Sequence, residues 1–309
     1  MFSSKLKNLY KIKMNKISKI GWIGTGVMGK SMCKHLISKG YDLSIYSRTE
    51  SKTIELTEMW AKILSPLEIA KNCDVIFLML GFPKDVLEVT LGENGILRNM
   101  RRGSYLVDHT TSSPDLAVKI NSEASSLGIN SYDAPVSGGD IGAREGRLVV
   151  MVGGEEKEFS TVEEIMKSYS SKINLMGSAG KGQHTKMANQ IIIASTMIGV
   201  VEGMLYAKKA NLDVEKVIQL LGGGAAGSFS LNIYGPRIIN RDFEPGFFIE
   251  HFVKDLEICL NECEKMGIEL AGLKLAHKFY KTMIDDGFGR KGTQGLMLAL
   301  EKINGLENN

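Results

Sequence analysis

Cysteine is scarce in this sequence, and its few occurrences match no metal-binding pattern. Four cysteines occur among 309 residues, and no two of them form a CxxC pair. Cys259 and Cys263 lie four residues apart in a helical pattern, but no histidine or further cysteine accompanies them. We therefore predict buried thiols in a reducing compartment and no bound metal.

Two other absences narrow the class of protein. No run of 18 apolar residues occurs, so no membrane span is expected, and no basic stripe with interleaved aromatic residues indicates nucleic acid. Hydrophobic residues make up 43% and charged residues 24% of the chain, which is the balance of an ordinary globular protein. The length suits one large domain or two ordinary ones.

The N-terminal segment lacks acidic residues altogether. The first 19 residues contain six lysines, no arginine and no acid, and the first acid is Asp42. Two interpretations stand. Residues 1–16 are a basic tail of a cytoplasmic protein, or they belong to a short mitochondrial presequence.

A glycine-rich turn follows the first predicted strand. The apolar-rich residues 17–23 predict a strand. Residues 31–38 predict a helix, and residues 42–46 predict a second strand. A GxGxxG motif in this context predicts dinucleotide binding, because its glycines allow a tight turn and a close approach to the pyrophosphate at a helix N-terminus. The cofactor-binding residues predicted here are Gly24, Thr25, Gly26, Val27, Met28 and Gly29.

The end of the second strand indicates which dinucleotide is bound. An NAD-binding protein usually has Asp or Glu there for the ribose 2′-hydroxyl. This chain has Ser47, Arg48 and Thr49 instead. Because a guanidinium matches a 2′-phosphate, the sequence favours NADP, with NAD as the alternative. The other interpretation of Arg48 is a solvated loop charge.

Repeated strand and helix patterns continue to residue 181. Residues 74–80, DVIFLML, form a run that is apolar after Asp74, which is typical of a strand buried on both faces. Ligands of doubly wound sheets bind at the carboxyl ends of such strands, so Met79 and Leu80 are expected beside the cofactor. We predict an α/β Rossmann domain over residues 17–181, with a doubly wound and mostly parallel sheet.

A second glycine-rich stretch, DAPVSGG, occupies residues 133–139. A strand is predicted to end there and to be followed by a loop that offers bare backbone amides and one hydroxyl. Such a loop suits a carboxylate. An ordinary glycine-rich turn is the other interpretation.

A long helix is predicted over residues 182–210, and only helices are predicted after it. Near its start Lys186, Asn189 and Gln190 recur at spacings of three and four, which places them on one face. A lysine in such an apolar helix needs water, a partner or a substrate. We expect an all-α domain over residues 182–309 that binds substrate and forms a homodimer or homotetramer, with residues 182–210 as the interdomain helix.

Four stretches together resemble the β-hydroxyacid dehydrogenase family, especially 3-hydroxyisobutyrate dehydrogenase-like proteins. They are GWIGTGVMG, DAPVSGG, GSAGKGQHTKMANQ and FFIEHFVKDL, in that order along the chain. The resemblance implies that Lys186 is the catalytic general acid and base. It further implies substrate binding by Ser137, Gly138, Gly139, Asn189, Thr111, Phe247 and Asp255, and cofactor contacts from Thr111 and Lys254.

The chain departs from the family pattern at two places. Gln190 stands where many members have a second asparagine, and the segment from Arg290 to Thr293 replaces an acidic residue and a serine. The expected activity is NADP-preferring interconversion of a small 3-hydroxy acid and its semialdehyde. The alternatives are NAD-dependent 3-hydroxyisobutyrate dehydrogenase and, from another class, a non-catalytic NADP-binding protein.

Overall fold

The computed structural model describes residues 19–306, so the predictions for the basic tail lie outside the described residues. The chain divides into two compact units, the first ending at Lys186 and the second beginning at Met187. The division falls inside one long helix. Each unit is described by itself.

The first unit is built on a parallel sheet of six strands in the order β3-β2-β1-β4-β5-β6. The order reverses between β1 and β4, which is where doubly wound sheets bind their ligands. The predicted doubly wound fold is therefore confirmed. The strands are β1 Lys19–Ile23, β2 Asp42–Tyr46, β3 Lys62–Ile63, β4 Val75–Leu78, β5 Tyr105–Asp108 and β6 Asn130–Asp133.

Helices follow the strands, and their starts carry the expected signals. Ser65 and Ser113 each cap a helix that has proline in its first turn. Strand β4 is buried along its whole length, because Phe77 and Ile76 belong to hydrophobic clusters on opposite sides of the strand. The helices are α1 Val27–Ser38, α2 Ile54–Glu58, α3 Pro66–Asn72, α4 Pro83–Leu91 and α5 Pro114–Ser126, with 3₁₀ turns at Glu50–Lys52 and Leu97–Asn99.

A second, three-stranded sheet completes this unit. Its order is β7-β8-β9, with β7 antiparallel and β9 parallel to β8. The prediction of a loop through residue 139 was wrong, because Ser137 ends a strand and Gly139 begins a helix. A helix of six residues is too short to show a periodic pattern. The elements are β7 Val136–Ser137, α6 Gly139–Arg144, β8 Leu148–Val152, α7 Phe159–Met166 and β9 Ser170–Leu175.

The second unit is helical, as predicted, and its described part contains no strand beyond one isolated bridge between Phe248 and Gly292. Asp213 caps one helix with its side chain, and Gly267 ends another in the left-handed conformation with φ of 67°. The elements are α8 Lys181–Lys209, α9 Val214–Gly222, a π turn Ser230–Tyr234, α10 Gly235–Ile239, α11 Ile249–Met266, α12 Ala271–Asp285, a 3₁₀ turn Thr293–Gly295 and α13 Leu296–Ile303.

Helix α8 has the length and apolar character of a membrane span, with a mean hydropathy of 1.5 over its best window. Half of that window is nevertheless buried inside the structure. Ala194, Met197 and Val201 lie in the hydrophobic core of the second unit. Burial of this extent is typical of a helix in the core of a globular protein. The four cysteines are buried thiols without disulfide bonds.

Candidate active site

The glycine turn after β1 has the geometry of a phosphate cradle. A Cβ on Gly24 would collide with the Met79 carbonyl oxygen, and one on Gly29 would collide with the Gly24 carbonyl oxygen. A Cβ on Gly26 would meet no atom within 4 Å. Two glycines therefore close the turn, while the third leaves space above the backbone. Because α1 begins at Val27 without a side-chain cap, its first amides are available to an anion.

Residues 79 and 80, after β4, are tied to the loops on either side. The Met79 amide donates to the Ile23 carbonyl over 3.0 Å. The Leu80 amide donates to the Thr110 hydroxyl over 2.8 Å. These bonds join the ends of β1, β4 and β5, so the predicted cofactor residues Met79 and Leu80 lie at the same edge as the glycine turn. Thr111 follows directly in the β5 loop.

A buried aromatic cluster that was not predicted from the sequence lies among these strands. Trp22 stacks on Phe77, which stacks on His109, with ring centroids 5.3 and 5.5 Å apart. His109 Nδ1 lies 2.6 Å from the Ala134 carbonyl oxygen and its Nε2 lies 2.8 Å from the Tyr169 hydroxyl. Burial lowers the pKa of His109 to about 4, so the ring is neutral at physiological pH. A neutral ring that donates from Nδ1 and accepts at Nε2 satisfies both contacts. Only the position of His109 directly after a buried strand could have signalled it.

The residues after β2 meet an acid from another part of the chain. Arg48 Nη1 lies 3.1 Å from Asp85 Oδ1, and the two side chains are 77% and 10% exposed. Nearby, the Thr49 amide donates to the Ser47 hydroxyl. No acid follows β2 directly in the sequence. Asp85 was not predicted, because it lies 37 positions further along, in the first turn of α4.

Asp133, at the end of β6, holds the start of α8. Its Oδ1 accepts from the Gly180 amide and its Oδ2 from the Gln183 amide, both over 2.8 Å. The Gln183 side chain in turn accepts from the Ser112 amide and donates to the Thr110 carbonyl. Burial raises the pKa of Asp133 to about 6, against the opposing effect of the amide donors. The β5 loop, β6 and α8 are thus fixed by one buried network.

Lys186 lies one helical turn beyond Gln183 and is 7% exposed. Its Nζ donates to the Val136 carbonyl over 2.9 Å. Val136 directly precedes Ser137, Gly138 and Gly139, so the structure brings the ammonium to the DAPVSGG segment. Gly138 and Gly139 have φ of 126° and 62°, a backbone conformation that side chains disfavour. The turn therefore presents bare backbone close to the lysine.

The second unit contains its own buried polar chain. Gln190 Nε2 donates to Asp255 Oδ2 over 2.6 Å, and Asn189 Nδ2 donates to Gln190 Oε1 over 2.8 Å. Lys254 Nζ lies 2.6 Å from Asp255 Oδ1. Asn189 and Gln190 follow Lys186 by one turn of α8. Phe247 lies elsewhere in this unit and packs edge-on against Phe252.

Comparisons with known proteins agree with this architecture. The family model described as the NAD binding domain of 6-phosphogluconate dehydrogenase matches residues 19–177. A second model, described as NAD-binding of NADP-dependent 3-hydroxyisobutyrate dehydrogenase, matches residues 180–300. Together they span most of the chain.

Individual proteins match over nearly their full lengths. The Arabidopsis thaliana protein named "Probable 3-hydroxyisobutyrate dehydrogenase-like 1, mitochondrial" is 51% identical, over 93% of this chain and 86% of its own. The 2-hydroxy-3-oxopropionate reductase of Escherichia coli is 36% identical, over 92% and 97%. A structure of Mycobacterium tuberculosis 3-hydroxyisobutyrate dehydrogenase with L-serine has a TM-score of 0.83 and 24% identity, over 92% and 99%.

The fold and these matches define an oxidoreductase that uses NAD(P) and acts on CH–OH groups. The chain belongs to the β-hydroxyacid dehydrogenase family. It is therefore an NAD(P)-dependent hydroxyacid or semialdehyde dehydrogenase, and the alternative of a non-catalytic NADP-binding protein is set aside.

Proposed function

We propose that the protein is an NADP-preferring enzyme that interconverts a small 3-hydroxy acid and its semialdehyde, with Lys186 as the general acid and base. The observation that carries this proposal is the position of Lys186, a buried ammonium. Its Nζ lies 2.9 Å from the Val136 carbonyl, next to the segment Ser137, Gly138 and Gly139. An ammonium in such a place is suited to an oxygen on which negative charge develops.

The cofactor, the segment of residues 137–139 and Lys186 have separate roles in the reaction. The cofactor supplies the hydride acceptor or donor. The backbone and hydroxyl of Ser137, Gly138 and Gly139 bind the substrate carboxylate. In the direction of reduction, Lys186 Nζ donates a proton to the carbonyl oxygen of the aldehyde, and in oxidation it takes the hydroxyl proton back.

Further residues place the substrate. We assign Thr111 to the space between substrate and nicotinamide, and Asn189, Phe247 and Asp255 to the substrate side. Asp255 acts through Gln190, to which it is hydrogen-bonded over 2.6 Å. Because Arg290 already pairs with Glu250 over 2.6 Å and stacks on the Phe248 ring, we assign no second substrate carboxylate to it.

The cofactor assignment follows from the glycine turn and the β2 loop. We place the pyrophosphate over Gly26, where no atom would oppose it, and the 2′-phosphate beside Arg48, Ser47 and Thr49. Lys254 is assigned to the cofactor as well. The full set also contains Gly24, Thr25, Val27, Met28, Gly29, Met79, Leu80 and Thr111.

The substrate class is a small semialdehyde that carries a carboxylate. The name of the Escherichia coli relative, 2-hydroxy-3-oxopropionate reductase, describes such a compound. NAD-dependent oxidation of 3-hydroxyisobutyrate is the second candidate, favoured by the name of the Arabidopsis thaliana relative. We also propose that the domain boundary lies at residue 181 and that the helical domain forms a homodimer or homotetramer.

The test is steady-state turnover of the full-length protein with glyoxylate, succinic semialdehyde and methylmalonate semialdehyde, each with NADPH and with NADH. We expect turnover of at least one semialdehyde and a higher kcat/KM with NADPH. A higher kcat/KM with NADH would overturn the NADP preference and favour the second candidate. Absence of turnover with every compound, despite cofactor binding, would overturn the substrate class.

A further inference from the structure

Arg48 and Asp85 form a pair of opposite charges at the carboxyl ends of two different strands, which we call the Arg48–Asp85 corner. Strands β2 and β4 are both paired with β1, one on each side. Arg48 follows β2, and Asp85 lies in the helix that follows β4. Their contact over 3.1 Å therefore links the two segments that flank the glycine turn.

The two side chains differ in their exposure to solvent. Asp85 is 10% exposed and sits in the first turn of α4, where the helix dipole stabilises an anion. Its Oδ2 is buried, and among the described residues no hydrogen-bond donor reaches it. Arg48 is 77% exposed and can therefore rotate towards solvent. When Arg48 rotates away, Asp85 Oδ1 loses this donor, so a donor brought by a ligand would stabilise the carboxylate.

NAD and NADP would interact with this pair of side chains in opposite ways. A ribose 2′-hydroxyl is a neutral donor that a carboxylate accepts. A 2′-phosphate carries negative charge, which Arg48 attracts and Asp85 repels. A corner with only the arginine would select NADP strongly, whereas a corner with only the acid would select NAD.

We propose that Asp85 is a specificity residue that keeps NAD(H) usable: it accepts the ribose 2′-hydroxyl and its charge limits the preference of Arg48 for the 2′-phosphate. This inference rests on the proposed binding of the 2′-phosphate by Arg48. It makes the corner a dual-cofactor site in which the two side chains act on different cofactors.

The experiment measures dissociation constants for NADPH and NADH by cofactor fluorescence, on full-length protein without substrate. In Asp85→Asn we expect NADH to bind about tenfold more weakly, the effect of one hydrogen bond to a charged group. NADPH should bind equally well or up to about tenfold more tightly, because a like charge is removed. Equal weakening of both cofactors, or weaker binding of NADPH alone, would overturn the proposal.

Two further variants separate direct contact from an effect through Arg48. In Arg48→Ala we expect NADPH to bind at least about tenfold more weakly and NADH to bind slightly more tightly, since Asp85 is released from its partner. The double variant, Arg48→Ala with Asp85→Asn, should bind NADH more weakly than Arg48→Ala alone. If Asp85→Asn changes NADH binding only while Arg48 is present, Asp85 merely orients the arginine and the proposal fails.

The matched control is Glu88→Gln, which makes the same charge change at an exposed position one turn further along α4. Its cofactor affinities should equal those of the parent protein. An equal change in this control would attribute the effect to general charge and overturn the specific role of Asp85. Because the readout is binding, an error in the proposed substrate or in Lys186 leaves this test intact.

Discussion

Each unit buries one aspartate that contacts helix α8, and the two carboxylates are held in different ways. Asp133 accepts from backbone amides of Gly180 and Gln183, so it fixes the main chain at the helix start. Asp255 is held by the side chains of Gln190 and Lys254. A backbone-held carboxylate sets the position of everything that follows on the helix, whereas a side-chain-held one sets only the groups that touch it.

The largest effect is expected from Asp133→Asn. The amide group cannot accept from both backbone N–H groups, so one of them loses its partner and the start of α8 shifts away from β6. We expect kcat to fall about 100-fold, because a small displacement of Lys186 suffices for such a loss.

The control for this variant is Asp115→Asn, at an exposed position in the first turn of α5. It should retain kcat and lose less than about 1 kcal/mol of stability. If Asp133→Asn also retains kcat within threefold, Asp133 does not set the position of Lys186.

A smaller effect on turnover is expected from Asp255→Asn. Lys254 loses its counter-charge and Gln190 loses a charged acceptor, but no backbone group is released. We expect a loss of stability of about 3 kcal/mol, as for other broken buried pairs. The change in activity should be about tenfold and mainly in KM, since Gln190 and Asn189 would be displaced while Lys186 keeps its place. An equal fall in kcat at unchanged KM would contradict the distinction between the two carboxylates.

Acid pH should move activity and stability in opposite directions through Asp133. Its folded-state pKa of about 6 lies above the usual value, so its contribution to stability is full below the unfolded-state pKa and is lost as pH rises through about 6. Falling pH therefore adds about 2 kcal/mol from this group, while protonation removes an acceptor at the helix start and lowers kcat.

The measurement is the difference between parent protein and Asp133→Asn, in urea unfolding and in kcat, from pH 7.5 to 4.5. The difference in stability should change by about 2 kcal/mol over this range. A difference that stays constant with pH would show that Asp133 does not titrate there.

The smallest effect is expected from Asn189→Ala. Asn189 is half-buried, and its side chain donates to Gln190 Oε1 over 2.8 Å. We expect a loss of stability below about 1 kcal/mol, and an increase in KM of about fivefold with kcat retained. Thermal unfolding and steady-state kinetics measure both. An unchanged KM would remove Asn189 from the substrate side.

The sequence predicted the parts of the site that depend on neighbouring residues. The glycine turn was found because its spacing, the strand before it and the helix after it are all local. The bounds of β2 and the length of α8 were predicted closely for the same reason. DAPVSGG was recognised as a backbone turn, although α6 was missed.

The contacts that hold the site are distant in sequence and were not predicted. Asp85 lies 37 positions from Arg48, and Asp255 lies 65 positions from Gln190. No periodicity or spacing links such pairs, because the sheet order and the helix packing bring them together. The same holds for Asp133, whose sequence position suggested a strand end but not a partner for the start of α8.

Proton transfer by Lys186 can be measured in a single turnover of the enzyme. The rate of NADPH oxidation with a semialdehyde substrate would be compared in the parent protein, in Lys186→Met and in Lys181→Met, whose side chain is exposed on the same helix. We expect the rate to fall about 10³-fold in Lys186→Met, with NADPH affinity unchanged and with Lys181→Met equal to the parent. A rate in Lys186→Met within tenfold of the parent would show that Lys186 does not transfer the proton.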